Sequence, residues 1–260
     1  MLAAERHSAI LAALHTDGAV KVVELADLLG VSEMTIRRDL DVLDERQVLR
    51  KVHGGAIVRG NRGIEPPSTA KAARQHGEKV AIGRAALGAV EDGMTIAVSA
   101  GTTTLELARL LRGRDAITVV TNSISIFQEL TGHPDEPNPV VYLTGGSRTP
   151  SDALVGPIAN AALDVFRVDA VFLGVHGFDI ESGLTTPNIA EAETNRRLIA
   201  TSRRLFVLAD NTKYREVGTN VFGRMSDIDT LVVDDGLDVA DRAALAPHVE
   251  NILVAETEKS

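Results

Sequence analysis

The chain has 260 residues, 44% of them hydrophobic, with no cysteine and no tryptophan. That length allows one large domain or two smaller ones, and that apolar fraction excludes a disordered chain. The missing cysteines exclude a disulfide framework, a Cys-ligated zinc site and a thiol nucleophile, while a net charge of −9 argues at first against a nucleic-acid partner.

Six Phe and two Tyr are too few for a platform that stacks single-stranded bases. No apolar run approaches the ~20 residues that span a bilayer. The opening MLAAERHSAI carries Glu5, Arg6 and His7 where an export signal needs an apolar core. These features predict a cytoplasmic protein without a membrane partner.

The first sixty residues read as helices. Ile10, Leu11 and Leu14 share one helical face, and Val22, Leu25, Leu28 and Leu29 share another. Ile36, Leu40 and Leu43 continue the spacing in a third segment, and Gly18 and Gly30 fall where two of the helices would end. The second helix is predicted at Lys21–Leu29, followed by a Gly30-Val31 turn. Ser32, a good N-cap residue, opens the third. In a helix-turn-helix, the first residues of the second helix enter the major groove. Here Ile36 and Leu40 face inward, which leaves Thr35, Arg37 and Arg38 outward. Arginine pairs bidentately with guanine or holds phosphate. The next run, LRKVHGGAIV, reads as a hairpin around Gly54-Gly55, with Arg46, Arg50, Lys51, His53 and Arg59 in and around it. An arginine pair alone is usually a solvated face; the helix, turn, helix and basic hairpin together point to duplex DNA.

Residues 59–77, RGNRGIEPPSTAKAARQHG, hold two adjacent prolines and no periodicity, so they read as a linker. Apolar runs then alternate with helical segments. The runs are Thr95–Val98, Ile117–Thr121, Val140–Thr144, Ala170–Gly174, Leu205–Ala209, Thr230–Val233 and Asn251–Val254. Helical patterns such as Leu105–Leu111 and Ala190–Ala200 fall between most of them. This alternation predicts an α/β domain with a mainly parallel sheet.

After the first run comes Ser99-Ala100-Gly101-Thr102-Thr103-Thr104. A Gly/Thr loop opening a helix offers backbone N–H groups, hydroxyls and a positive dipole end, which suits a phosphate. It lacks the Lys of a P-loop. Other runs also end in small or polar residues: Asn122 and Ser123, Gly145 and Gly146, His176, Gly177 and Asp179, and Asp210 to Lys213. Ligands of open α/β sheets bind at the carboxyl ends of strands. Lys213 reads as a phosphate partner or a solvated lysine. Asp179 reads as an acceptor for sugar hydroxyls or as a turn former. Glu191 and Glu193 read as ligands or as acids matched to a helix dipole. His176 reads as structural, with no acid partner identifiable.

The run VSEMTIRRDLDVLDERQVLRKVHGGA closely resembles the winged helix-turn-helix of the DeoR family of bacterial sugar-operon regulators. The resemblance implies that Ser32, Met34, Thr35, Arg37 and Arg38 contact operator DNA, and that the source is bacterial. The runs SAGTTTLELARLL, VVTNS, LTGG, VFLGVHGFD, EAETNRRLI and VLADNTKY resemble the family's sensor domain, which is similar to ribose-5-phosphate isomerase and glucosamine-6-phosphate deaminase. That resemblance implies a phosphorylated sugar, with Gly101, Thr102, Thr103, Thr104 and Lys213 around the phosphate. It implies hydroxyl contacts from Asn122, Asp179 and Glu191. The family often carries an acid where this chain has Ser99, so the identity of the sugar does not transfer.

The predicted organisation is a winged helix-turn-helix at 1–57, a linker at 58–77 and a phosphosugar isomerase-like α/β sensor at 78–260. The predicted function is a repressor, homodimeric or homotetrameric, released by a phosphosugar and using no cofactor or metal. An isomerase or deaminase is the alternative. It needs a tuned carboxylate base; Asp179, Glu191 and Glu193 supply the type, but no acid/base pair stands out. An architectural DNA-binding protein fits poorly, because residues 61–260 hold a net −8, against −1 for eight basic and nine acidic side chains in residues 1–60, and contain the strand-end pocket pattern.

Overall fold

A computed structural model describes residues 3–17, 19–46, 48–52, 54–58, 68–132, 135 and 137–258. The chain divides into two compact units, Met1–Asn61 and Arg62–Ser260.

The first unit runs α1 (Ala3–Asp17), β1 (Ala19–Lys21), α2 (Val22–Leu29), α3 (Glu33–Glu45), β2 (Leu49–Val52) and β3 (Gly55–Val58). Ile10 and Leu14 of α1, Val22 and Leu25 of α2, and Ile36, Leu40 and Leu43 of α3 form its buried core with Leu49 and Ala56. The expected face of α2 needs one correction: Leu28 is 71% exposed. Successive residues turn by about 100°, so Val22, Leu25, Ala26 and Leu29 share a stripe that Leu28 leaves. A second correction concerns β1. Lys21 ends a strand rather than opening a helix, and β1 pairs antiparallel with β3, which pairs with β2. The wing is thus three-stranded. Gly18, expected to end α1, lies outside the described residues.

The second unit opens with α4 (Ser68–Ala72) and α5 (His76–Leu87). The stretch 58–77 therefore is not a plain linker. Ser68 N–H donates to the Pro150 carbonyl at 3.3 Å, which holds α4 to the second unit. Ala-rich STAKA is a good helix former without any periodic apolar face, so pattern alone could not find it. Next come β4 (Thr95–Val98), α6 (Thr102–Leu110), β5 (Thr118–Thr121), α7 (Ile124–Thr131) and β6 (Val140–Leu143). A small hairpin, β7 (Ser147–Arg148) with β8 (Leu154–Val155), leads to α8 (Pro157–Asp164) and β9 (Ala170–Gly174). Then follow β10 (Gly177–Asp179), β11 (Gly183–Thr186), α9 (Ile189–Ala200), β12 (Leu205–Ala209), β13 (Asn220–Gly223), β14 (Thr230–Asp234), α10 (Val239–Leu245) and β15 (Asn251–Ala255).

All seven apolar runs become neighbours in one sheet, ordered β15-β14-β12-β9-β4-β5-β6. Every pair in it is parallel. Along β9, Ala170 and Phe172 face a core with Ile82 of α5, Leu107 of α6 and Ile126 of α7. Val171 and Leu173 face the opposite core with Leu163 of α8, Leu198 of α9 and Leu245 of α10. A strand buried on both faces has no polar alternation, which is why these segments read as continuous apolar runs. The chain winds outward from β4 to β6, then returns and winds the other way from β9 to β15. The switch point lies between β4 and β9, where an open sheet leaves a crevice at the strands' carboxyl ends. β10, β11 and β13 form a separate antiparallel sheet that the sequence reading did not contain. Among the described residues, no helix is long and apolar enough to cross a membrane.

Candidate DNA-reading helix and ligand cleft

Ser32 caps α3 by accepting the Thr35 N–H at 3.3 Å, and the two hydroxyls lie 2.9 Å apart. Ser32, Met34, Arg37 and Arg38 are exposed around the first turns of α3, with Thr35 half-buried beside them. Arg37 bonds Glu33 one turn back at 3.0 Å, an exposed pair that costs little to exchange for DNA. Lys51 of β2 pairs with Asp41 of α3 and so ties the wing to the helix. His53 and the side chain of Arg50 lie outside what the structure describes.

The opposite face of α3 carries a feature the sequence reading missed. Asp39 is buried, and Arg6 of α1 donates to it through Nε at 2.7 Å and Nη2 at 3.1 Å. His7 Nε2 lies 2.9 Å from the same carboxylate. Burial alone would raise the Asp39 carboxyl, but the bonds to Arg6 and His7 outweigh it and hold the carboxyl below its ordinary range. This clamp fixes the roll of α3 against α1 and so sets which residues point outward.

In the second unit a cleft opens at the β4/β9 switch point. The turn from β4 into α6 lines it with Ala100, Gly101, Thr102 and Thr103; the end of β9 adds Gly174, Val175 and His176. Asn122 follows β5, Lys213 follows β12, and Lys71 comes from α4. Ser151 and Ala153 of the β7–β8 hairpin, Thr186 of β11, and Glu191 and Asn195 of α9 complete the lining.

Gly101 caps α6 without any side-chain bond, so the first N–H groups of the helix stay open toward the cleft. Thr103 is only 7% exposed, and its hydroxyl has no hydrogen-bond partner among the described residues. Two lysines and a helix N-terminus favour an anion at this end. Across the cleft, Glu191 accepts from the Ser151 hydroxyl and, at 3.3 Å, from the Thr186 hydroxyl. The cleft therefore combines two lysines and an open helix N-terminus with hydroxyls and a carboxylate. That suits a phosphorylated polyol in type.

Several expected ligand residues make bonds within the scaffold. Ser99 is 1% exposed and its Oγ accepts the Gly174 N–H at 2.9 Å, fastening β4 to β9 behind the cleft. Thr104 donates to the Ser99 carbonyl at 2.7 Å and is turned away. Asn122 borders the cleft, but its Oδ1 holds the Ala100 N–H at 2.9 Å and its Nδ2 holds the Leu154 carbonyl at 3.1 Å. Ser123 caps α7 by accepting the Ile126 N–H at 3.2 Å. Asp179 forms a turn, accepting from the N–H groups of Glu181 and Ser182 at 3.0 and 3.3 Å. Gly145 and Gly146 follow β6, two strands from β4, and neither lines the cleft. A Cβ on Gly146 would sit 2.5 Å from the Val155 carbonyl oxygen, and one on Gly177 would sit 2.1 Å from that of Glu216. Those glycines permit close backbone approach. His176 does have an acid neighbour, with Nε2 3.9 Å from Glu216 Oε1.

Lys79 of α5 is a second residue that sequence reasoning missed. It is 3% exposed and donates to the carbonyls of Lys71 and Arg74. Burial pushes its ammonium down to about 8; Asp210 and Glu106 oppose the shift, and Lys213 and Lys71 add to it. The folded state thus releases this proton before the unfolded chain does. Stability then rises with pH between the folded value near 8 and the unfolded value near 10.5. The slope it adds is at most about 1.4 kcal/mol per pH unit. Denaturant melts of wild type minus Lys79→Met should show this slope, and a pH-independent difference would refute it.

Residues 6–61 match the DeoR-like helix-turn-helix domain, and residues 74–235 match the DeoR C terminal sensor domain. The HTH-type transcriptional regulator GlpR of Haloferax volcanii is 35% identical over 243 residues, covering 93% of this chain and 94% of that one. The HTH-type transcriptional regulator GolR of Listeria innocua is 34% identical over 237 residues, covering 91% and 92%. The transcriptional repressor AccR of Agrobacterium fabrum is 31% identical over 234 residues, covering 89% and 90%. Among solved structures, ribose 5-phosphate isomerase A from Methanocaldococcus jannaschii aligns over 55% of this chain and 56% of its own, with 16% identity and a TM-score of 0.40.

A winged helix-turn-helix joined in one chain to a parallel α/β sensor unit defines a DNA-binding transcriptional regulator. Both family matches together cover most of the chain, and the relatives align nearly end to end. The chain belongs to the DeoR family of transcriptional regulators.

Proposed function

We propose that the protein represses a sugar-metabolism operon and leaves its operator when a phosphorylated sugar occupies the cleft. The observation that carries this reading is the cleft itself. Its open α6 N-terminus, Thr103 and Lys213 face the hydroxyl-lined wall of Glu191. The phosphate would lie at the α6 end, with Gly101, Thr102, Thr103 and Lys213 around it. Sugar hydroxyls would reach Glu191, Asn195 and Ser151. On the DNA side, Ser32, Met34, Thr35, Arg37 and Arg38 would read the operator, with Arg50, Lys51 and His53 on phosphates. Two-fold pairing of two or four copies would match a two-fold operator. The reading includes a cytoplasmic location and no cofactor.

Binding fits the cleft better than turnover. Both Glu191 oxygens already accept hydroxyl bonds, so that carboxylate is poised to orient and not to abstract a proton. Release of DNA requires only that the ligand bind the DNA-incompetent state more tightly.

The test has three arms. A thermal-shift panel of phosphosugars should yield one that raises the melting temperature. In a gel-shift series the same compound, at saturation, should lower operator affinity at least tenfold. Incubation with ribose 5-phosphate or glucosamine 6-phosphate should give no product. A stabilising phosphosugar that leaves operator affinity unchanged would defeat the induction reading, and turnover would defeat the non-enzymatic one.

A further inference from the structure

Lys71 stands in a stretch whose sequence reads as a linker, yet it lines the cleft together with Thr102, Thr103 and Lys213. Its helix, α4, is fastened at both ends. Ser68 N–H donates to the Pro150 carbonyl at 3.3 Å, and Ser68 and Ala72 flank a groove shared with Gly101, Thr102 and Ser151. At the other end Lys79 donates to the Lys71 and Arg74 carbonyls. The last carbonyls of a helix lack intrahelical donors, and an ammonium carries three N–H groups. A five-residue helix does not hold itself together, so these bonds decide where the Lys71 backbone sits.

The position has an electrostatic consequence. Lys71 and Lys213 both lie close enough to Lys79 to act on its charge, with Asp210 and Glu106 as the acids facing it. Lys71 and Lys213 line one cleft, and two ammonium groups in one cleft repel one another until an anion enters. Thr103, nine-tenths buried and with an unpartnered hydroxyl among the described residues, points to where such an anion would sit.

We propose that α4 is part of the effector site: Lys71 contacts the phosphate of the ligand alongside Lys213, and Lys79 is the positioning residue that holds α4 in place for it. This rests on the reading of the cleft as an effector site and extends it to the segment that precedes the sheet in the chain. An occupied cleft then orders α4, the first described helix after the DNA-reading unit in sequence.

The test uses the full chain with inorganic phosphate and ribose 5-phosphate as probes. Calorimetric titration should show Lys71→Ala binding each probe about tenfold more weakly than wild type. Lys71→Arg should restore most of the loss. Hydrogen exchange over residues 68–79 should slow when probe is added to wild type, and Lys79→Met should remove that protection. If Lys79→Met does not fold, the Lys71 pair and the wild-type exchange still decide. Should Lys71→Ala bind as wild type does while Lys213→Ala binds weakly, the cleft is an effector site and α4 is no part of it. Should wild type bind neither probe, the effector reading falls and this inference falls with it.

Discussion

Replacing Arg37 and Arg38 together by alanine is expected to weaken operator binding by about three orders of magnitude or more and leave the fold intact. Both side chains are exposed on α3, so their loss removes no core contact. Arg37 gives up only an exposed bond to Glu33, and Arg38 makes no ion pair among the described residues. On DNA, each arginine contact is worth about 1–3 kcal/mol, and a two-fold assembly makes every contact twice. Filter binding at fixed salt measures the loss. The single variants separate two roles. An arginine on a guanine edge should relax preference at one base position when removed. An arginine on phosphate should weaken all sequences alike and lower the salt slope by about one per contact. Unchanged binding of the double variant would exclude α3 as the recognition helix. The chain's net −9 does not contradict this expectation, because −8 of it lies after residue 60, away in sequence from the exposed arginines.

What could be read before the structure follows a physical pattern. The inner strands of the parallel sheet, β4, β5, β9, β12 and β14, are buried on both faces, and such strands appear as unbroken apolar runs. The helices of the first unit appear through their periodic inner faces, with Leu28 as the residue that periodicity assigned wrongly. Short antiparallel strands such as Gly177–Asp179 and Ala19–Lys21 carry no run long enough to register. The cleft was legible as a place, since carboxyl ends of strands are where such sheets bind ligands. Its exact membership was not, because a polar side chain does not announce its partner. Ser99 and Thr104 look like ligand groups beside Gly101, yet Ser99 is claimed by Gly174, 75 positions away in the chain. Asp39 looks like a solvated acid within TIRRDL, and its partners Arg6 and His7 lie 33 and 32 positions away. Lys71 and Lys79 look like ordinary linker and helix lysines, and only the packing of α4 brings Lys71 to the cleft and its carbonyl to Lys79.

The largest effect on ligand response is expected from Thr103→Ala combined with Lys213→Ala. Neither side chain makes a hydrogen bond among the described residues, so the variant should melt as the parent does. Lys213 ends a 3-10 turn, Asn211–Lys213, that the fold braces firmly. Asp210 caps the turn by accepting the Thr212 N–H at 3.2 Å. Asp234 at the end of β14 accepts both the Asn211 N–H and its side-chain amide at 2.6 Å. Asp234 is fully buried, and that burial raises its carboxyl above its usual value even against the Asn211 bonds. The turn thus presents the ammonium from a fixed base and loses little entropy when an anion arrives. A charge-assisted bond is worth about 1.5–3 kcal/mol and a neutral one about 1 kcal/mol. Losing one of each should weaken a phosphorylated effector roughly a hundredfold to a thousandfold. The double variant should therefore stay on its operator at effector concentrations that release the parent, with unchanged operator affinity when no effector is present. Gel shifts across an effector titration measure both quantities together. A variant that still releases its operator at the parent's effector concentration would place the phosphate site away from α6 and the Asn211–Lys213 turn.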